Sequence, residues 1–178
     1  MIRRLILLVA ALAGAAPLLA GIPVAVDPAE IPNYQVIRPG LAFGGQPSPG
    51  SLKRLGDMGF RTVVNLRTEQ EGAVEEGHVV RALGLDYVWV PVTSGTFSLE
   101  DVEAVERVLD DPDMGPVLLH CASSNRVAAV WAVIQSRDGR TLEEAEAASR
   151  AAGLHSPSTW EAVLRVLEVV PVGAAVNP

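Results

Sequence analysis

The run Pro116-Val-Leu-Leu-His-Cys-Ala-Ser-Ser-Asn-Arg126, continued without a break by Val127-Ala-Ala-Val-Trp-Ala-Val-Ile134, constrains this chain more than any other feature. Val117 to His120 is a short apolar stretch of the kind found in a parallel strand buried on both faces. The stretch after Arg126 has the length and apolar content of a buried helix, predicted over 126–137. Strand must hand over to helix in the polar segment between them, and the only cysteine of the chain, Cys121, stands at that junction. A helix begins with backbone N–H groups that lack intrahelical partners. Small residues at 122–125 let those groups gather around a common centre, with Arg126 in the first helical turn.

The rest of the chain repeats the strand-then-helix pattern. Tyr34-Gln-Val-Ile37 and Leu41-Ala-Phe43 read as short strands around a Pro39-Gly40 turn. Ser48-Pro49 starts a helix, since the serine oxygen can accept a free N–H and proline at the first helical position gives up nothing; Leu52, Leu55 and Met58 share its inner face and Gly59 ends it. Arg61 to Leu66 is a strand, followed by a helix over 71–83 that Gly72 and Gly77 weaken. Leu85 to Val92 is a further strand that Pro91 ends or holds at an edge. Ser98 with Asp101, and Thr141 with Glu144, have the spacing of capping boxes. Val102, Val105, Val108 and Leu109 form the core stripe of the first of these helices. Ser156-Pro157 opens the last helix, with Trp160, Val163, Leu164 and Leu167 facing in. Tyr34, Phe43 and Phe97 are read as core residues. The alternation predicts an α/β fold: a mostly parallel central sheet covered by helices. Functional residues in such sheets gather beyond the carboxyl ends of the strands, where Cys121 falls.

Residues 1–26 stand apart from this pattern. Arg3 and Arg4 precede an almost unbroken apolar run from Leu5 to Val26 that Asp27 ends, with small residues such as Ala13, Ala15 and Ala20 near a cleavage point. That is the layout of a secretory signal. It is also long enough for a retained membrane anchor. Either reading places the domain, residues 27–170, on the periplasmic or extracytoplasmic side, with a loosely held tail over 171–178. Exported proteins usually acquire cysteines in pairs for disulfides, and a solitary Cys121 cannot form an internal bridge. With no second cysteine, and with His78, His120 and His155 lacking ligand spacing, no metal site is expected. The formal charge of −7, from 14 basic and 21 acidic residues, excludes a general electrostatic attraction for nucleic acid. Any anion site must therefore be built locally.

The loop after the fifth predicted strand can build one. Backbone N–H groups of Ala122, Ser123, Ser124, Asn125 and Arg126 can hold an oxyanion at the helix amino terminus. Arg126 adds a permanent charge in a fork that matches two oxygens. The same field favours thiolate over thiol at Cys121, placing a nucleophile beneath the anion. His120 precedes Cys121 on the strand, so its side chain faces the opposite way. It is expected to hold the loop rather than to act as a base. Asn125 tolerates left-handed geometry and is assigned a structural part.

The run His120-Cys-Ala-Ser-Ser-Asn-Arg126 occurs together with Leu41-Ala-Phe-Gly-Gly-Gln-Pro47, with Thr62-Val-Val-Asn-Leu-Arg67 plus Glu69 and Glu71, and with Tyr87-Val-Trp-Val-Pro-Val92. In this combination the chain resembles the bacterial dual-specificity and tyrosine-phosphatase-like proteins, and most closely their hydrolase-like phosphatase domain group, over about residues 33–168. The resemblance implies a cysteine-phosphatase-like three-layer architecture. It implies that Cys121 is the phosphocysteine-forming nucleophile, that Arg126 binds phosphate, and that the N–H groups of residues 122–126 form the cradle. It implies a phosphate-bearing or other small oxyanion substrate and no cofactor. The membrane is a partner only through a retained amino-terminal segment, and nothing in the sequence bears on oligomeric state.

Three departures from that family pattern bear on turnover. Four residues separate Cys121 from Arg126 where the familiar phosphatase loop has five. Val127 stands where a serine or threonine usually assists departure of the cysteine. Thr93-Ser94 stands where the general acid, an aspartate, is usual, and Glu100 and Asp101 come later, with Asp101 committed to a cap. Glu69 and Glu71 are the remaining supporting acids or bases. The short loop is also similar to that of single-domain rhodanese-like sulfurtransferases, Cys-x-x-Gly-x-Arg, with Ser124 in place of the glycine. The sequence therefore predicts a cysteine-dependent phosphomonoester hydrolase. A persulfide-forming sulfurtransferase and a non-catalytic anion-binding pseudophosphatase are the alternatives.

Overall fold

A computed structural model describes residues 21–23 and 25–169. The leader through residue 20 and the tail 171–178 lie outside the described residues. Five short strands, β1 (Gln35–Arg38), β2 (Leu41–Gly44), β3 (Thr62–Asn65), β4 (Asp86–Trp89) and β5 (Val117–His120), form one sheet in the order β1-β2-β5-β3-β4. β2, β5, β3 and β4 run parallel, and β1 is antiparallel to β2. The hairpin between β1 and β2 turns through Gly40, whose φ of +78° lies in the left-handed region open to glycine. β5, the apolar run beside Cys121, is the central strand.

Side chains alternate across the sheet because successive residues of a strand point to opposite faces. Leu41, Phe43, Val64 and Leu119 belong to the core on one face, beneath α3 (Leu99–Leu109), α4 (Asn125–Arg137) and α6 (Pro157–Val169). Ala42, Val63 and Leu118 belong to the other, with Leu52, Leu55 and Val80 from α1 (Pro49–Leu52), the turns after it, and α2 (Ala73–Ala82). α5 (Leu142–Ala151) packs on the outside of α4. This is the three-layer α/β architecture the sequence predicts. Ile22, within the stretch read as leader, is itself buried in the second core, and Pro23 accepts a hydrogen bond from the Tyr34 hydroxyl.

The predicted caps form. The Ser48 side chain accepts from the Ser51 N–H ahead of Pro49, and Ser98–Asp101 and Thr141–Glu144 close reciprocal capping boxes. Two helices differ from expectation. The first keeps only Pro49–Leu52, and the chain continues to Gly59 in turns. Gly56 and Asp57 are poor helix formers, and Leu55 is buried from a turn instead. The second breaks at Gly72, φ +83°, into a 3-10 turn (Glu69–Glu71) followed by α2. β4 (Asp86–Trp89) lies at the sheet edge, as Pro91 predicts, but contact with β3 continues beyond the proline, where the Val92 N–H donates to Leu66 O at 3.1 Å.

One register relationship positions the site. The last residues of four adjacent strands stand side by side: Gly44 against His120, His120 against Asn65, and Asn65 against Trp89. All four strands thus release their loops along the same edge, with the His120–Cys121 step at its centre.

Candidate functional site

The loop from Cys121 to Arg126 is held from outside by its own backbone. The Cys121 N–H donates to Gly44 O at 3.3 Å, the Gln46 N–H donates to Ala122 O at 3.1 Å, and Asn33 Nδ2 donates to Ser123 O at 3.1 Å. Gly45 pairs with Ser123 at a distance that only glycine allows, because a Cβ there would lie 2.9 Å from Ala122 O and 3.1 Å from Pro32 O. With these carbonyls tied, the loop peptides cannot swing. The left-handed residue is Ser124, φ +66°, and not Asn125, which is already helical. Ser124 is buried, and α4 begins directly after it, aiming the positive end of its dipole at the loop. Cys121 is 1% exposed and packs into the core on the α4 face.

Asn125 does have a structural part, by a different route. Its Oδ1 accepts from the N–H groups of His155 and Ser156 at 2.9 and 3.1 Å, and its Nδ2 donates to Thr159 Oγ1 at 2.7 Å. It fastens the α5–α6 connection to the base of the loop.

Arg126 is clamped. Nη2 donates to Glu71 Oε1 at 2.6 Å and Nη1 to Glu71 Oε2 at 2.8 Å, a bidentate pair. Nη1 also faces the carbonyls of Val92 at 3.1 Å and Leu66 at 3.3 Å, at the ends of neighbouring strands. Burial works against the Arg126 charge, but the Glu71 hydrogen bonds and the nearby Cys121 sulfur outweigh it and raise its pKa above the usual arginine value. Cys121 and Arg126 are therefore electrostatic neighbours. Glu71 is fixed independently, since its Oε2 also accepts from the Thr68 N–H at 2.8 Å and the Thr68 hydroxyl at 3.0 Å in a capping box of the 3-10 turn. The Arg126 hydrogen bond, opposed by partial burial and reinforced by Thr68, lowers the Glu71 pKa to about 2.

That geometry reassigns Glu71. A carboxyl held at about 2 is ionised throughout the neutral range and has no proton to give. In the structure its two oxygens position Arg126. Glu69 is exposed on the same turn. At the position usual for the acid, Thr93 and Thr96 pair with each other, hydroxyl to hydroxyl at 2.9 Å. Val127 is fully buried in the core.

His120 lies on the opposite face from Cys121, as alternation requires. It is fully buried, with Nε2 2.7 Å from Glu76 Oε1 and Nδ1 3.2 Å from Cys121 O. Glu76 is the centre of a network the sequence did not disclose. Its carboxylate accepts from Asn65 Nδ2 at 2.8 Å, Gln46 Nε2 at 2.7 Å and Arg67 Nη1 at 3.0 Å. Burial disfavours the Glu76 charge, yet the hydrogen bonds, His120 first, hold its pKa below the usual value. Asn65 also reaches the Tyr87 hydroxyl, which donates to Ala73 O at 2.6 Å. One carboxylate thus ties the β2, β3 and β5 ends together behind Cys121. In the sequence Glu76 looks like a solvated helix residue beside Glu75. The available signal was Gly77, where a Cβ would lie 2.7 Å from Tyr87 Cε1, showing that this helix face is pressed onto the sheet.

Residues 33–138 match the family described as beta-lactamase hydrolase-like protein, phosphatase-like domain. The chain belongs to this family. The matched part of the chain is a phosphatase-like domain. The beta-lactamase hydrolase-like protein of Xylella fastidiosa is 32% identical over 128 residues, which are 67% of this chain and 30% of that protein. Its counterpart in Agrobacterium fabrum is 29% identical over 105 residues, 56% of this chain and 24% of that protein. The chain therefore spans under a third of the length of these curated relatives. Among solved structures, a DUF442 protein from Shewanella putrefaciens superposes with TM-score 0.61 at 25% identity, over 77% of this chain and 90% of that one. P. aeruginosa TpbA superposes with TM-score 0.63 at 19% identity, over 86% and 91%, a likeness of fold alone.

Proposed function

We propose that this member of the family is a cysteine-dependent phosphomonoester hydrolase, exported through its amino-terminal segment to the periplasm or the extracytoplasmic face of the membrane. The observation that carries the reading is the Arg126 guanidinium, clamped beside Cys121 at the amino terminus of α4. A phosphoryl group binds with its oxygens on Arg126 and the loop N–H groups. The Cys121 thiolate attacks phosphorus, an S–P bond forms, and the P–O bond to the alcohol breaks. Water then attacks phosphorus, releasing phosphate and regenerating the thiolate. With Glu71 committed to Arg126, the leaving oxygen draws its proton from solvent, so aryl phosphates, which leave readily, are the best substrates.

A second reading has its own support. Glu71 is held ionised and Thr93 is closed on Thr96, which suits a reaction that needs no acid at the leaving group. In rhodanese-type sulfur transfer the thiolate attacks the outer sulfur of thiosulfate, the S–S bond breaks, and sulfite departs as an anion. The cysteine is left as a persulfide, from which cyanide removes the sulfur as thiocyanate. The mass added at Cys121 after incubation with p-nitrophenyl phosphate or with thiosulfate separates the two. A phosphoryl adduct or phosphate release supports hydrolysis, a one-sulfur adduct supports transfer, and neither overturns both.

A further inference from the structure

The apolar stretch read as leader joins the domain one residue after Gly21. Gly21 itself is exposed, and a Cβ on it would meet nothing within 4 Å. Ile22 is 8% exposed and belongs to the second core with Leu55, Phe60 and Leu118, and Val26 packs against the same cluster. The Tyr34 hydroxyl donates to Pro23 O at 2.7 Å, and the Tyr34 ring meets Phe60 edge-on with centroids 6.5 Å apart. Further fastenings reach the site. The Ser48 N–H donates to Glu30 O at 2.7 Å, the Gly45 N–H to Pro32 O at 2.6 Å, and Asn33 Nδ2 to Ser123 O at 3.1 Å. Fastened at these points, the segment is a strap that ties the second core to the Cys121 loop, and Ile22 is its first anchor.

We propose that the amino-terminal segment is removed by cleavage of the Ala20–Gly21 bond, so that the mature chain begins with this strap. The inference rests on the reading that the protein is exported. Burial of Ile22 takes it, and everything after it, out of any membrane segment. The apolar run that remains, Leu5 to Ala20, is about 16 residues, or roughly 24 Å as a helix. That is short of the ~20 residues that span a ~30 Å hydrocarbon core. To lengthen the run, the chain would have to draw Ile22 out of its core and release Pro23 from Tyr34. Pro17 weakens a span further, because it removes a backbone hydrogen bond that a lone spanning helix cannot replace. A cleaved signal has no such length requirement: a basic start, an apolar stretch of about 7–15 residues and small residues at the cut suffice. Arg3 and Arg4, then Leu5 to Ala16, then Ala20 beside Gly21 supply these in order, with Pro17 setting the apolar stretch apart from the cut. Water adds across the peptide bond under the signal peptidase of the export route, leaving a carboxylate on Ala20 and an amino group on Gly21. Cleavage after Ala25 or Val26 would instead strip Ile22 and Pro23 from the mature domain.

The full-length chain is expressed in an export-competent Gram-negative host, the cells are separated into cytoplasm, membrane and periplasm, and the intact mass of the protein is measured in each. The expected product is a soluble periplasmic chain that starts at Gly21. A start at any other residue, or an uncut chain held in the membrane fraction, overturns the inference while leaving export standing. An uncut chain confined to the cytoplasm overturns export and the inference with it. A variant tests the strap separately. In the purified protein Ile22→Ala should lower the thermal midpoint by about 5–10 °C, the scale for emptying a buried aliphatic site in a domain of this size. A midpoint within about 1 °C of wild type would show that Ile22 anchors nothing and would remove the reason for placing the cut ahead of it.

Discussion

His120 Nε2 lies 2.7 Å from Glu76 Oε1, and neither side chain meets solvent, at 0% and 3% exposure. The pair joins α2 to the central strand and, through the contact of Nδ1 with Cys121 O, to the peptide of Cys121 itself. A carboxylate at such a point can be removed only by abandoning His120 and Arg67 together.

Glu76→Ala should therefore destabilise the domain by about 3–5 kcal/mol, the range for breaking a buried charged pair by deleting one partner. Urea unfolding followed by circular dichroism measures it. Glu76→Gln keeps the shape and part of the hydrogen bonding, and should cost less. A loss under about 1 kcal/mol for the alanine variant would mean that the network does not bind the strand ends together.

Acid should destabilise the fold in a defined window. Glu71 has a folded value of about 2 against an ordinary 4.5, and Glu76 is shifted downward as well. Below 4.5 the unfolded chain takes up protons that the folded state refuses. The stabilisation is thus complete above about pH 4.5 and disappears as pH falls through 2. Thermal midpoints recorded from pH 6 downward should drop across that interval, and less steeply in Glu71→Gln. Equal slopes would show that Glu71 does not carry the effect.

Cys121→Ser should abolish adduct formation and turnover with the fold intact. Arg126→Lys keeps the charge but loses the planar fork, giving up both the bidentate grip on Glu71 and the edge offered to the anion. A rate loss of about 10²–10³, typical of deleting one oxyanion donor, is expected on aryl phosphate. Steady-state kinetics on purified variants decide it, and a lysine variant within threefold of wild type would contradict the assignment.

Gly45→Ala should damage the loop without touching any side chain in it. The new methyl would press on Ala122 O at 2.9 Å and on the Pro32 backbone, and neither can retreat as a flexible side chain could. We expect a destabilisation of about 1–3 kcal/mol, with weakened protection of Cys121 by anions against alkylation. Unaltered protection would mean that the Gly45–Ser123 pairing does not shape the cradle.

How far the sequence could be read depended on whether a feature announced itself locally. Cys121 at the end of β5, the three serine and threonine caps and the parallel sheet all follow from periodicity and end chemistry within a few residues. The truncation of the first helix and the break at Gly72 also had visible causes in glycine. The pairing of Glu71, a residue already marked as a supporting candidate, and the whole part of Glu76 did not. Each is one acidic residue among several in a polar stretch, and its part depends on a partner 55 or 44 positions away, Arg126 or His120. The left-handed turn fell on Ser124, not the more permissive Asn125, because Asn125 is needed by the backbone of His155 and Ser156.

The alignment of Gly44, His120, Asn65 and Trp89 in a single row sets how the site can move. Opening the floor means parting the central strand from both neighbours, so amides such as that of Leu66, bonded to His120 O at 2.9 Å, should exchange with deuterium only when the whole domain unfolds. The segment from Thr93 to Phe97 is held instead by its own threonines and by α6, where Arg165 Nη2 donates to Ser94 O at 2.6 Å and the Ser94 and Thr159 hydroxyls lie 3.3 Å apart. Any breathing of the site then belongs to the wall that α6 supports, while the floor keeps still.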